Sequence, residues 1–130
     1  MITYRDTASA GRGVFACRQI AQGEIIERAP VIVIPPGDLD LIDKTILNSY
    51  YFLWGRDGAS GAIALGVGSL FNHSANPNAD YRKRFAEQII EFIAIREIQD
   101  GEEISINYNG DPNDQTRIVF EGATWRKATP

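Results

Sequence analysis

Apolar residues fall along this chain in short β-branched runs, separated by glycine and proline. Glu24 to Ile34 carries Ile25, Ile26, Val31, Ile32, Val33 and Ile34, then stops at Pro35, Pro36 and Gly37. That pattern predicts a strand followed by a break. Ile89 to Ile95 reads the same way, and Met1 to Asp6 reads as the start of another strand. Glu103 to Tyr108 alternates Ile104, Ser105, Ile106 and Asn107, the period of two that sends successive side chains to opposite faces of a sheet. Only one stretch has helical spacing. After Asp38, which can serve as an N-cap, Leu39, Ile42, Ile46, Tyr50 and Leu53 recur at intervals of three and four, predicting a helix there. Gly55 to Gly61 then reads as a loop tip between strands. The expectation is a mainly β domain of small sheets with one or two short helices.

One local echo stands out. Ala16-Cys-Arg-Gln-Ile-Ala-Gln-Gly-Glu24 is matched by Ala94-Ile-Arg-Glu-Ile-Gln-Asp-Gly-Glu102. Each describes a strand end, a turn whose glycine can take positive φ, and a new strand. Two distant copies do not make a solenoid. The same turn has been used twice.

Composition narrows the function classes. A chain of 130 residues fits one domain, and its 44% apolar and 23% charged residues are those of a soluble globular protein. No apolar run approaches a membrane span, and the N-terminus lacks a basic segment followed by an apolar signal core, so a cytoplasmic protein is the default. Cys17 is the only cysteine and His73 the only histidine, which rules out an internal disulfide and a four-ligand Cys/His zinc site. No metal is expected. The net charge of −4, with three lysines among 13 basic residues, argues against direct nucleic-acid binding and suits a basic peptide partner.

Three islands carry candidate chemistry: Gly11-Arg12-Gly13-Val14-Phe15-Ala16; Gly66 to Asn78 with Asn72-His73-Ser74 at its centre; and Gly101-Glu-Glu-Ile-Ser-Ile-Asn107-Tyr108. Any one alone could be a common turn or strand end. Together, in this order and at these distances, from about Ala10 to Tyr108, they closely resemble the SET-domain protein lysine methyltransferases. The lack of a cysteine-rich zinc segment makes the chain similar to the compact viral and bacterial members. Ser74 beside His73 invites a Ser-His hydrolase reading, but adjacent strand residues point apart, no acid partner is marked, and no Gly-x-Ser-x-Gly elbow is present.

The resemblance implies a β-clip-like SET fold over residues 1–110, small curved sheets, and a knot-like threading of the C-terminal segment. Residues 111–130 would form a separate C-terminal segment that closes the lysine channel or docks on the surface. The implied activity is transfer of a methyl group from S-adenosyl-L-methionine to the side-chain amine of a lysine in a protein or peptide. Histones or histone-like proteins are the best-known targets, which would move the expected location to the nucleus or host chromatin. A catalytically silent SET module binding peptide or cofactor is the alternative, and a homodimer is open to small members. By the same resemblance Arg12, Gly13, Phe15, Asn72, His73 and Tyr108 lie at the cofactor, with Tyr108 at the point of methyl transfer. His73 on its own reads as a packed side chain rather than a catalytic base. The lysine channel would be walled by Tyr50 or Tyr51, by Tyr81, and by Trp125 or Phe120 from the C-terminal segment. Where the family often carries an aromatic residue limiting the number of methyl groups, this chain has Ile106.

Overall fold

The structure, a computed structural model, describes residues 1–118 and, for the backbone alone, Phe120–Glu121 and Thr124–Trp125. Strands β1 (Ile2–Asp6), β2 (Arg12–Ala16), β6 (Asn72–His73) and β9 (Glu103–Ile106) form one sheet in the order β1-β2-β9-β6. Its first two pairings are antiparallel, and β6 runs parallel to β9. Strands β3 (Ile25–Ile34), β4 (Tyr51–Trp54), β5 (Ser60–Ala64), β7 (Ala79–Arg84) and β8 (Ile89–Ala94) form a second, antiparallel sheet in the order β4-β5-β3-β8-β7. β10 (Phe120–Glu121) and β11 (Thr124–Trp125) form a separate two-stranded antiparallel sheet.

The three β-branched runs expected to be strands are β3, β8 and β9. β3 changes partner midway: Ile25 to Pro30 pairs with β8, and Val31 to Ile34 with β5. Pro30, which has no N–H to give to a ladder, stands at the changeover. The core between the sheets is built on Val14, Ile20, Phe71, Ile90, Phe92, Ile98, Ile104 and Ile106, with Phe71 stacked on Phe92 at 4.3 Å between ring centroids.

The expected helix is cut short. α1 covers only Pro36–Ile42; its N-cap is Pro35, and Asp38 falls in its first turn. Thr45 then starts a 3-10 turn at Ile46–Ser49, its hydroxyl accepting from the Leu47 N–H at 3.2 Å. Tyr50 closes that turn, and Leu53 lies in β4. The spacing of Leu39 to Leu53 satisfies a helix, but α1 buries none of its residues, whereas β4 buries Phe52 and Trp54 on alternate positions. Aromatic residues on a half-buried pleated strand gain more than helical periodicity alone supplies.

The two echoed turns bind each other. Ile20 and Ile98 exchange backbone hydrogen bonds of 2.8 and 2.9 Å. Gly23 N–H donates to Ala94 O and Gly101 N–H to Ala16 O, each at 2.8 Å. Within each turn the closing glutamate accepts the same backbone N–H, Glu24 from Ala21 at 3.1 Å and Glu102 from Gln99 at 3.0 Å. Each also meets its own arginine, as Arg18–Glu24 and Arg96–Glu102. The repeat is therefore a local two-fold that stitches the start of the chain to β9.

Candidate active site

β9 brings the three islands together. On one side it pairs with β2, setting Phe15 opposite Glu103; on the other it pairs with β6, setting Asn72 opposite Ser105 and His73 opposite Ile106. Tyr108 leaves the end of β9 and is buried, with 3% of its surface exposed. Its hydroxyl donates to the Phe71 carbonyl at 2.6 Å, and its backbone N–H donates to His73 Nδ1 at 3.0 Å. The Tyr81 hydroxyl donates to the Tyr108 carbonyl at 3.4 Å.

These contacts fix protonation states. Because His73 Nδ1 accepts a hydrogen bond, the neutral ring carries its proton on Nε2. Burial lowers the His73 pKa from its ordinary value, favouring that neutral form. Burial raises the Tyr108 pKa, and the neighbouring Tyr81, Tyr50 and Glu103 push the same way. Tyr108 is therefore a phenol, its hydroxyl proton donated to the Phe71 carbonyl.

A cavity of about 750 Å³ opens beside this group, lined by Ser9, Ala10, Asn72, His73, Tyr108 and Ile118 among others. A smaller polar cavity of about 330 Å³ shares Ser9, Ala10, Asn72 and His73, and adds Thr7 and Glu103. Asn72 joins the first island to the second, its amide nitrogen donating to the Arg12 carbonyl at 3.2 Å and to Glu103 Oε2 at 2.8 Å. Gly13 leaves room for this link. A Cβ there would run into Glu103 Oε2 and stand 2.9 Å from Asn72 Nδ2.

The sequence-derived candidates fall into groups. Asn72, His73 and Tyr108 line the main cavity. Gly13 and the Arg12 carbonyl back it through Asn72, while the Arg12 side chain is on an exposed residue. Phe15 is half-buried with the Arg5 guanidinium 3.9 Å above its ring, and it is not among the lining residues. Tyr50 and Tyr81 are near enough to Tyr108 to act on its ionisation. Tyr51 is turned toward α1, donating to Asp43 Oδ1 at 2.7 Å. Ile106 is fully buried in the core. The side chains of Phe120 and Trp125 lie outside the described residues.

Sequence reasoning missed Ser9, Ala10 and the stretch from Gln115 to Ile118, which also line the main cavity. The stretch is held back over the second island by side chains: Asn107 Nδ2 to Asp114 O at 2.6 Å, Asn109 Nδ2 to Thr116 O at 2.8 Å, and Gln115 Nε2 to Ala75 O at 3.0 Å. The signal was the density of asparagine around Tyr108, a residue type that ties side chain to backbone in turns.

The sequence model of the SET domain matches residues 11–109. The chain belongs to the SET-domain family. A histone-lysine N-methyltransferase of Schizosaccharomyces pombe, specific for H3 lysine-37, is 38% identical over 108 residues, which are 82% of this chain and 72% of that protein. With that relative beside the family match, this SET-domain chain is a protein-lysine methyltransferase. Among solved structures, a Plasmodium falciparum histone methyltransferase candidate superposes with a TM-score of 0.66 at 28% identity, covering 85% of this chain and 99% of that one. Apo ctPRC2 in an autoinhibited state superposes at a TM-score of 0.74 and 21% identity, covering 87% of this chain and 16% of its own, a likeness of fold alone.

SET methyltransferases as a class use S-adenosylmethionine, and the crevice suits it. The main cavity has the volume of a small-molecule site, with an apolar wall from Tyr108 and Ile118. The smaller cavity beside it holds Asn72 backed by the Glu103 carboxylate.

Proposed function

We propose that this SET domain methylates lysine side chains of a histone or histone-like protein, with the crevice beside Asn72, His73 and Tyr108 as the S-adenosylmethionine site. The observation that carries the reading is the Tyr108 phenol. It is protonated, pinned to Phe71, flanked by Tyr50 and Tyr81, and on the wall of the same cavity as the Asn-His pair.

S-adenosylmethionine, when bound, would supply an electrophilic methyl group for in-line attack by the lysine amine, with the thioether S-adenosylhomocysteine as the leaving group. Everything else falls to this chain's residues. The aromatic surroundings of Tyr50, Tyr81 and Tyr108 favour the neutral lysine amine, because desolvation disfavours the ammonium. An ordinary lysine pKa near 10.4 leaves little amine at neutral pH, so this shift matters for rate. The Tyr108 phenol, held by its bond to Phe71 on the wall of the cavity, helps align the methyl with the incoming nitrogen. His73 holds the Tyr108 backbone and moves no proton. Tyr50 rather than Tyr51 supplies the second channel tyrosine. A histone substrate places the enzyme on chromatin; among the described residues no helix is long and apolar enough to cross a membrane.

The test is incubation of the purified protein with S-adenosylmethionine and recombinant core histones, followed by mass spectrometry of the digested histones. Methyl increments on lysine are expected. Their absence across core histones and a basic histone-like protein would overturn the reading.

A further inference from the structure

Glu103 has no part in the chemistry above, yet its carboxylate decides which way a key amide faces. Both hydrogens of the Asn72 side-chain amide are engaged, one by the Arg12 carbonyl at 3.2 Å and one by Glu103 Oε2 at 2.8 Å. A carbonyl and a carboxylate can only accept, so the amide nitrogen must face them and Oδ1 must face the other way. The shorter bond is to the charged partner, and charge-assisted bonds are roughly twice as strong as neutral ones. Arg12 alone is the weaker anchor.

The surroundings agree on the sign of charge. The smaller cavity is lined by Thr7, Ser9, Asn72, Glu103 and Ser105 among others, and neither lysine nor arginine is among its lining residues. Gly13 completes the arrangement, since any Cβ there would occupy the space in which Glu103 and Asn72 meet.

We propose that Glu103 is a positioning residue for the cofactor's amino-acid end. By holding the Asn72 amide nitrogen it makes Asn72 Oδ1 an acceptor for the α-ammonium, and its own charge adds to the attraction. This rests on the crevice being the S-adenosylmethionine site.

Calorimetric titration with two ligands tests it. S-adenosylhomocysteine carries the ammonium; 5′-methylthioadenosine keeps the purine, ribose and thioether but lacks the amino-acid part. Glu103→Ala is expected to weaken S-adenosylhomocysteine about tenfold, a loss of about 1.4 kcal/mol. Binding of 5′-methylthioadenosine should stay as in the native protein. Glu103→Gln keeps an acceptor oxygen without charge and should lose about threefold, again for the first ligand only. A purely structural role for Glu103 would weaken both ligands together, and that result, or unchanged selectivity, overturns the proposal. Should Glu103→Ala not fold, the selectivity of Glu103→Gln decides alone. If the native protein binds neither ligand, the cofactor-site reading itself falls and takes this inference with it.

Discussion

Tyr108 donates its only proton to a backbone carbonyl at 2.6 Å and is held as a phenol by burial, which removes it as an acid or base near neutrality. The role proposed for it is one of geometry and electrostatics. Tyr108→Phe deletes the oxygen and keeps the ring, so cofactor binding should stay within a fewfold while the rate of methyl transfer falls by about a hundredfold or more. Stability should drop by about 1 kcal/mol, because the Phe71 carbonyl loses its donor. Single-turnover rates beside S-adenosylhomocysteine affinity separate the two effects; a fully active variant would end the role given to Tyr108. His73 makes a different forecast. Its folded pKa is lowered from 6.5, so the unfolded chain takes up the proton first as pH falls. Its contribution is present above about 6.5 and is lost on acidification through the depressed folded value. Denaturant unfolding at pH 7.5 and pH 5 should show a smaller loss in His73→Asn than in the native protein, since asparagine offers an acceptor that does not titrate. Equal losses would show that His73 does not contribute to the slope.

Among the elements, the paired turns explain why two separated segments share one sequence. Gly23 and Gly101 stand at φ of +87° and +85°, and nothing lies within 4 Å of where a Cβ would sit. Substitution there meets backbone strain without any clash. Gly101→Ala should therefore cost about 1–2 kcal/mol in urea unfolding, and Gly23→Ala about the same. The more telling result is their similarity, because the turns are related by a local two-fold; a large effect at one and none at the other would contradict that equivalence. Much of this was readable beforehand. The Arg-x-Ile-x-x-Gly-Glu repeat, the β-branched runs that became β3, β8 and β9, and the order of the three islands all lie in local sequence. That Ile20 would pair with Ile98, or Asn72 with Ser105, depended on long-range register, which no local pattern encodes. The helix expected through Leu53 failed for the same reason: the partner that makes residues 51–54 a strand is β5, and a helical wheel does not see it.

For the whole molecule, the decisive feature is how the five-stranded sheet curls. Its edge strands β4 and β7 share no ladder, yet rings meet across the seam, with Phe52 and Tyr81 5.2 Å apart and Trp54 4.9 Å from Phe85, the residue just past β7. Aromatic edge contacts of this kind add about 0.5–1.5 kcal/mol beyond area burial. Closing the seam brings Tyr50, at the entry to β4, and Tyr81, on β7, toward Tyr108, the three residues proposed to wall the lysine channel. The same closure covers a charge. Lys83 lies two residues beyond Tyr81 on β7, its ammonium 6.0 Å from that ring, and burial lowers its pKa from 10.5 to about 8. A group whose charge is disfavoured by folding destabilises the fold while it is protonated, below about pH 8. As pH rises from there toward 10.5 the unfolded chain still holds the proton that the folded chain has released, and the penalty disappears. Lys83→Met keeps the apolar stem and removes the charge. It should stabilise the protein at pH 7 by on the order of 1 kcal/mol, a figure reduced from the full shift because water still reaches the ammonium. That gain should shrink toward zero by about pH 10. Unfolding free energies of both proteins across this range would check it, and a gain that did not vary with pH would mean that Lys83 costs the fold through packing, not charge.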